Sequence, residues 1–154
     1  IRSRPISTPR RCGIGPLASP ERAVPYLLDT STLAEALRSA PSRSFVRRLA
    51  SIPSRERWTS VITVSQLLVA ARRTQQPRVM QDVVSLVAAI RVASFDMNAA
   101  QSFAKLRATV APEMDADDVM IAAIAVSGGF VLATKRVHEF SVFPHLRVED
   151  WTSP

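Results

Sequence analysis

From Val24 onward, short apolar runs alternate with longer stretches in which apolar residues recur every three or four positions. That alternation predicts strands separated by helices and a mainly parallel sheet, an α/β fold. The short runs place strands at Pro25 to Leu28, Trp58 to Ile62, Val92 to Phe95, Phe130 to Ala133 and Leu146 to Val148. Val64, Leu67, Leu68 and Ala71 fall at i, i+3, i+4 and i+7, which predicts a helix from Thr63 to Arg73 with one buried face. Pro77 suits the first turn of the next helix, whose stripe is Val79, Val83, Val84 and Val87. A further helix is expected from Asn98 to Ala108, and another after Asp118, closed by Gly128-Gly129. Thr32-Leu33-Ala34-Glu35 and Thr63-Val64-Ser65-Gln66 both fit capping boxes, a purely structural explanation of Glu35 and Gln66.

With 154 residues, 47% of them hydrophobic and 21% charged, the chain has material for one core and one domain. Residues 1–23 stand apart: Pro5, Pro9, Pro16 and Pro20 interrupt them, and Arg2, Arg4, Arg10, Arg11 and Arg22 oppose only Glu21. They read as a mobile basic arm ahead of a domain over residues 24–154. The arm carries five positive charges less one negative, +4 of the net +7, so +3 remains for the domain. Such a balance favours a polyanionic partner. Cys12 is the only cysteine, which excludes an internal disulfide. The apolar stretch Val119 to Thr134 is broken by Ser127-Gly128-Gly129 and is shorter than the roughly 18 to 20 residues of a membrane span. The arm also lacks the apolar core of a secretory signal, so a soluble cytoplasmic protein with no membrane partner is expected.

Two acids sit where an α/β fold gathers chemistry. Asp29 closes the first apolar run, and Asp118 opens the helical run Val119 to Ala123. A strand's carboxyl end and a helix's amino end both border the crevice in which open sheets bind ligands, so the two carboxylates can share a hard cation. Each also has a structural explanation, Asp29 as a helix cap and Asp118 as a first-turn acid favoured by the helix dipole. Asp115, Asp117 and Asp118 together exceed what one cap needs, and a divalent ion would relieve their repulsion. Lys135 and Arg136 follow the fourth strand and should face the same crevice, there to clamp phosphate or an acidic side chain. A lysine or arginine lodged between Asp29 and Asp118 would take the cation's place and leave the fold as the only surviving part of this reading.

Four segments, in order and spacing, resemble the PIN-domain nucleases, and most of all the VapC toxins of toxin–antitoxin pairs. They are Tyr26 to Leu33, Ser60 to Leu67, Asp118 to Ala123 and Val131 to Arg136, with Phe140 to Trp151 similar to that subfamily's last strand. The resemblance covers about residues 24–152. It implies a three-layer α/β/α sandwich, usually dimeric, that cleaves RNA with Mg²⁺ or Mn²⁺ held by three or four acids and is blocked by a small VapB-like antitoxin. By position, Asp29 matches the first acid and Asp118 the third. The second acid, normally Glu, is Gln66 here, and the fourth position, often Asp or Asn, is Arg136.

Those departures remove two negative charges from a four-acid site and add one positive charge. Two metal ions would then be poorly held, whereas one is still compatible with the remaining acids. The expected function is a Mg²⁺-dependent endoribonuclease acting on structured RNA, with Asp29 and Asp118 as metal ligands, Asp117 in reserve, and Gln66 and Arg136 completing the catalytic set. The alternative is a catalytically impaired PIN domain that binds RNA or an antitoxin without turnover. A haloacid-dehalogenase-like phosphatase, whose nucleophilic Asp also follows the first strand, fits less well because Ser31 replaces its second Asp.

Overall fold

The computed structural model describes residues 23–154; the expected basic arm, except for its last residue, lies outside the described residues. Five strands form one parallel sheet: β1 (Tyr26–Leu28), β2 (Arg57–Ser60), β3 (Arg91–Ala93), β4 (Val131–Ala133) and β5 (Arg147–Glu149), in the order β3-β2-β1-β4-β5. The helices are α1 (Thr30–Ala36), α2 (Arg43–Ser51), α3 (Val61–Thr74), α4 (Pro77–Ala88), α5 (Met97–Arg107), α6 (Ala116–Gly128) and the short α7 (Val137–Phe140).

The strands are too short to be stable alone and are held by what covers them. Within β1, successive side chains face opposite ways. Leu27 packs with Leu106, Val119, Ile121 and Phe140, while Leu28 packs with Leu33, Phe45, Leu67 and Trp151. Full burial of each leucine contributes roughly 1.5–3 kcal/mol. Being gripped from both faces fixes β1, and with it the residue that follows. The result is a three-layer α/β/α sandwich, as the sequence predicts.

Several element boundaries differ from the sequence expectation, for identifiable reasons. Val61 and Ile62 belong to α3 and not to β2, because the Ser60 hydroxyl accepts the Thr63 N–H (2.9 Å) and starts the helix two residues early. Thr63 therefore lies inside the first turn, and the capping box expected at Thr63 and Gln66 does not form. Nor does the one at Thr32 and Glu35: α1 begins at Thr30, directly after Asp29, and the Thr32 hydroxyl donates to the Ala133 carbonyl (2.7 Å). The α6 helix opens at Ala116, two residues before Asp118, because Asp115 supplies the cap. Two helices, α2 and α7, were not among those placed from the sequence. The signal for α2 was present in Ser42, whose hydroxyl accepts the Phe45 N–H, followed by Phe45, Leu49 and Ile52 at helical spacing.

Candidate active site

In this sheet the chain runs outward from β1 to β2 and β3 on one side, then returns to β4 and β5 on the other. The reversal point between β1 and β4 opens a crevice beyond their carboxyl ends. Leu28 pairs with Ala133 there, so Asp29 and the segment Thr134-Lys135-Arg136 leave the sheet side by side.

Asp29 is fully buried, with its N–H donating to the Ala133 carbonyl (2.9 Å). Its side chain makes no capping bond to α1, contrary to the purely structural reading. Instead Oδ2 accepts from the hydroxyls of Thr134 (2.7 Å) and Ser31 (3.3 Å). Oδ1 has no hydrogen-bond partner, and it is the buried side-chain polar atom in that condition among the described residues. A desolvated carboxylate oxygen without a donor is unfavourable, so this atom has an unmet demand for positive charge.

Asp118 lies in the first turn of α6, with its side chain 17% exposed. Both of its oxygens accept from one guanidinium: Arg136 Nη1 donates to Oδ2 (3.0 Å) and Nη2 to Oδ1 (2.5 Å). Arg136 Nε stands 3.8 Å from Asp29 Oδ2. The two carboxylates thus flank a common centre, but an arginine fills it. This is the outcome named above as undoing the metal site read from the two acids: an arginine holds the cation's place between Asp29 and Asp118, and what survives of that reading taken alone is the fold. The forked, charge-assisted pairing raises the Arg136 pKa above its ordinary value against the opposing effect of burial; the charges of Asp118, Asp29 and Glu139 add to the rise.

Gln66, on the second turn of α3, joins the same crevice. Its Oε1 accepts from the Thr30 hydroxyl (2.5 Å), and its Nε2 donates to Asp117 Oδ2 (3.1 Å). The site residues singled out from the sequence lie at this crevice in two hydrogen-bonded groups: Asp29, Asp118 and Arg136 with Thr134, and Gln66 with Asp117 and Thr30. Asp115 turns to its own helix end and caps Asp117 N–H.

Sequence reasoning missed Glu35, which is only 2% exposed and joins three segments. Its carboxylate accepts from Lys135 Nζ (2.5 Å), from the Ser42 backbone N–H (2.7 Å) and from Arg38 (3.4 Å). The Lys135 hydrogen bond is the main reason its pKa falls below the ordinary glutamate value, with the Ser42 N–H next. Lys135 thus clamps an acidic side chain, one of the two roles expected for it. Its backbone N–H also donates to the Ser31 hydroxyl (3.0 Å), and Arg136 N–H donates to Thr134 Oγ1 (3.0 Å). These bonds tie the loop after β4 to the start of α1 and hold Arg136 beside the acids.

Whether the donors suit a metal depends on their number and charge. No three acidic, histidine or cysteine side chains among the described residues form a ready cation cage. Magnesium does not require one, since one or two carboxylates with waters and a substrate phosphate commonly complete its octahedron. Asp29, Asp117 and Asp118 bring three negative charges against one positive charge from Arg136, leaving a sum of two negative. That matches one divalent ion and not two. With Arg136 paired to Asp118, the unpaired Asp29 Oδ1 is the donor of this set left for a single divalent ion.

A family model for the PIN domain matches residues 26–136, from β1 to the arginine of the crevice. The chain belongs to the PIN domain family. It is 28% identical over 130 residues to the tRNA(fMet)-specific endonuclease VapC of Salmonella typhimurium, a match covering 82% of this chain and 97% of the relative. The solved structure of DNA-bound VapBC from Salmonella typhimurium superposes with a TM-score of 0.76 at 28% identity, over 83% of this chain and 98% of the other. FitAcB from Neisseria gonorrhoeae superposes with a TM-score of 0.72 at 25% identity, over 82% and 97% of the respective chains. This PIN domain is therefore VapC-like in sequence and fold across almost the whole length of its relatives. No helix of the described residues is long and apolar enough to cross a membrane.

Proposed function

We propose that this PIN domain is a VapC-like endoribonuclease toxin that hydrolyses phosphodiester bonds in structured RNA with one Mg²⁺ or Mn²⁺. What supports the reading is the likeness to a VapC endonuclease over 82% of this chain, together with the fully buried Asp29 at the sheet's reversal point, one of whose oxygens is unpaired. Asp29 and Asp118 would hold the ion, with Asp117 in reserve. When bound, the ion supplies Lewis-acid polarisation of the scissile phosphate and a lowered pKa for the attacking water.

The chain's own groups do the positioning. Thr134 and Ser31 engage Asp29 Oδ2 and leave Oδ1 for a further partner. Gln66 steadies Asp117 and offers a neutral oxygen, but it cannot serve as a base. Lys135 and Arg38 at the rim, with Arg136 inside, give cationic groups suited to RNA phosphates and to the negative charge that grows in phosphoryl transfer. A VapB-like antitoxin covering this crevice and a second copy of the chain are the expected partners in a cytoplasmic setting. Exposed Val61 and Val69 on α3 and Val84 on α4 leave apolar surface for such contacts.

The test is cleavage of structured RNAs in Mg²⁺, Mn²⁺ and EDTA. Activity should need the metal and vanish in the Asp29→Ala plus Asp118→Ala variant; undiminished activity there removes the proposal. A second reading, a catalytically silent binding module, is favoured by Gln66 and by the Arg136 fork on Asp118. It predicts that Gln66→Glu with Arg136→Asp creates cleavage absent from the parent.

A further inference from the structure

Arg136 raises a question that family membership does not answer. A guanidinium is a monovalent cation with directional donors, and here it does what a hard cation would do: it bridges the two buried or half-buried carboxylates of the crevice. It is also tethered covalently three residues beyond β4, so its local concentration at the acids is high and does not vary with the medium.

We infer that Arg136 is a built-in counter-cation of the PIN site, which keeps Asp118 paired when no metal is bound and competes with a divalent ion for it. The inference rests on the metal-binding reading of Asp29 and Asp118. Two features of the surroundings support exchange and not permanent closure. Arg136 is 36% exposed, so its side chain has room to leave. The second is Asp29 Oδ1: the arginine reaches Oδ2 of that residue only at 3.8 Å and leaves Oδ1 unpaired, so its neutralisation of the site is incomplete.

Competition of this kind couples two ligands of one carboxylate, and the coupling is reciprocal. Removing the guanidinium should tighten metal binding by about tenfold or more, within the range usual for such coupling. It should also lower the stability of the metal-free protein, because Asp118 and Asp29 lose their partner.

The experiment is titration of the full chain with Mn²⁺, read by the loss of the free-ion paramagnetic resonance signal, for the parent, Arg136→Ala and Arg136→Gln. Thermal unfolding of each in EDTA accompanies it. The expected result is weak, single-site Mn²⁺ binding by the parent, a gain of about tenfold in both variants, and a lower unfolding midpoint for both in EDTA. The gain should disappear when Asp118→Asn is added. Arg136→Gln keeps hydrogen-bonding capacity without charge, so it serves if the alanine variant fails to fold. Equal Mn²⁺ affinity in the parent and a folded variant overturns the inference. Tightened binding without RNA cleavage by any form leaves it standing and removes the nuclease reading instead.

Discussion

Glu35 and Asp29 are the two fully buried carboxylates of the domain, and their surroundings differ in a way that decides their roles. Every demand of Glu35 is met, by Lys135, Ser42 and Arg38, whereas Asp29 keeps one oxygen unpaired. Glu35 is thus a structural clasp between α1, the turn before α2 and the loop that carries Arg136. Its pKa is lowered in the folded protein, chiefly by the Lys135 hydrogen bond. A depressed carboxylate pKa contributes stability that is complete above the unfolded value and is lost as pH falls through the folded one. Glu35→Gln should therefore lower the unfolding midpoint at pH 7 and converge on the parent as the pH falls below the ordinary glutamate range, as thermal melts from neutral to acid pH will reveal; a constant difference at every pH contradicts the role. Asp29 and Asp118 were legible as a site because a strand end and a helix start are recognisable from apolar runs. Glu35 was not, because Thr32 and Glu35 also match a capping box, and only the three-dimensional approach of Lys135 distinguishes the two.

Elements place these residues, and their ends carry the placement. The α3 helix brings Gln66 to Thr30 and Asp117 only if it starts at Val61, which the Ser60 hydroxyl ensures. Ser60→Ala should cost about 1 kcal/mol in denaturant unfolding. At the other end of the site, α6 closes on Gly129 in the left-handed region, at φ 67°. A side chain meets open space there, so Gly129→Ala carries conformational strain alone, about 1 kcal/mol. A loss well above that would show that the space is not free. The sequence pattern located the main helices and the parallel strands, because a 3.6-residue stripe and a short buried run are distinct signals. It misjudged where β2 ends, since Ser60-Val61-Ile62 reads equally well as strand or as capped helix until the register with β1 stops at Thr59. The short α7 has only four residues, too few to show a period.

For the molecule as a whole, the order β3-β2-β1-β4-β5 puts the acids and the arginine at one reversal point and the basic rim beside them. The overall charge of +7 favours a polyanionic partner and does not identify it. Arg38 is 62% exposed at this rim. Arg38→Ala should weaken RNA binding in every sequence tested and make the slope of log affinity against log salt shallower by about 0.7 to 0.9, the contribution of one phosphate contact. An unchanged slope places the RNA elsewhere. The fold class and the nearness of Asp29, Asp118 and Arg136 were readable in advance because strand ends and a helix start meet at the reversal point, whereas Gln66 was singled out through the family resemblance. The occupancy of the centre was not, since Arg136 could equally have faced solvent or a phosphate.

We propose that buried Asp29 holds the catalytic metal. This is tested most directly by the rate at which an end-labelled structured RNA is cleaved in Mn²⁺ by the parent and by Asp29→Asn, a substitution of nearly equal volume that removes the charge. The parent should cleave in a reaction that stops in EDTA, and the variant should be at least about a hundredfold slower. Equal rates for the two proteins, or cleavage that persists in EDTA, would contradict it.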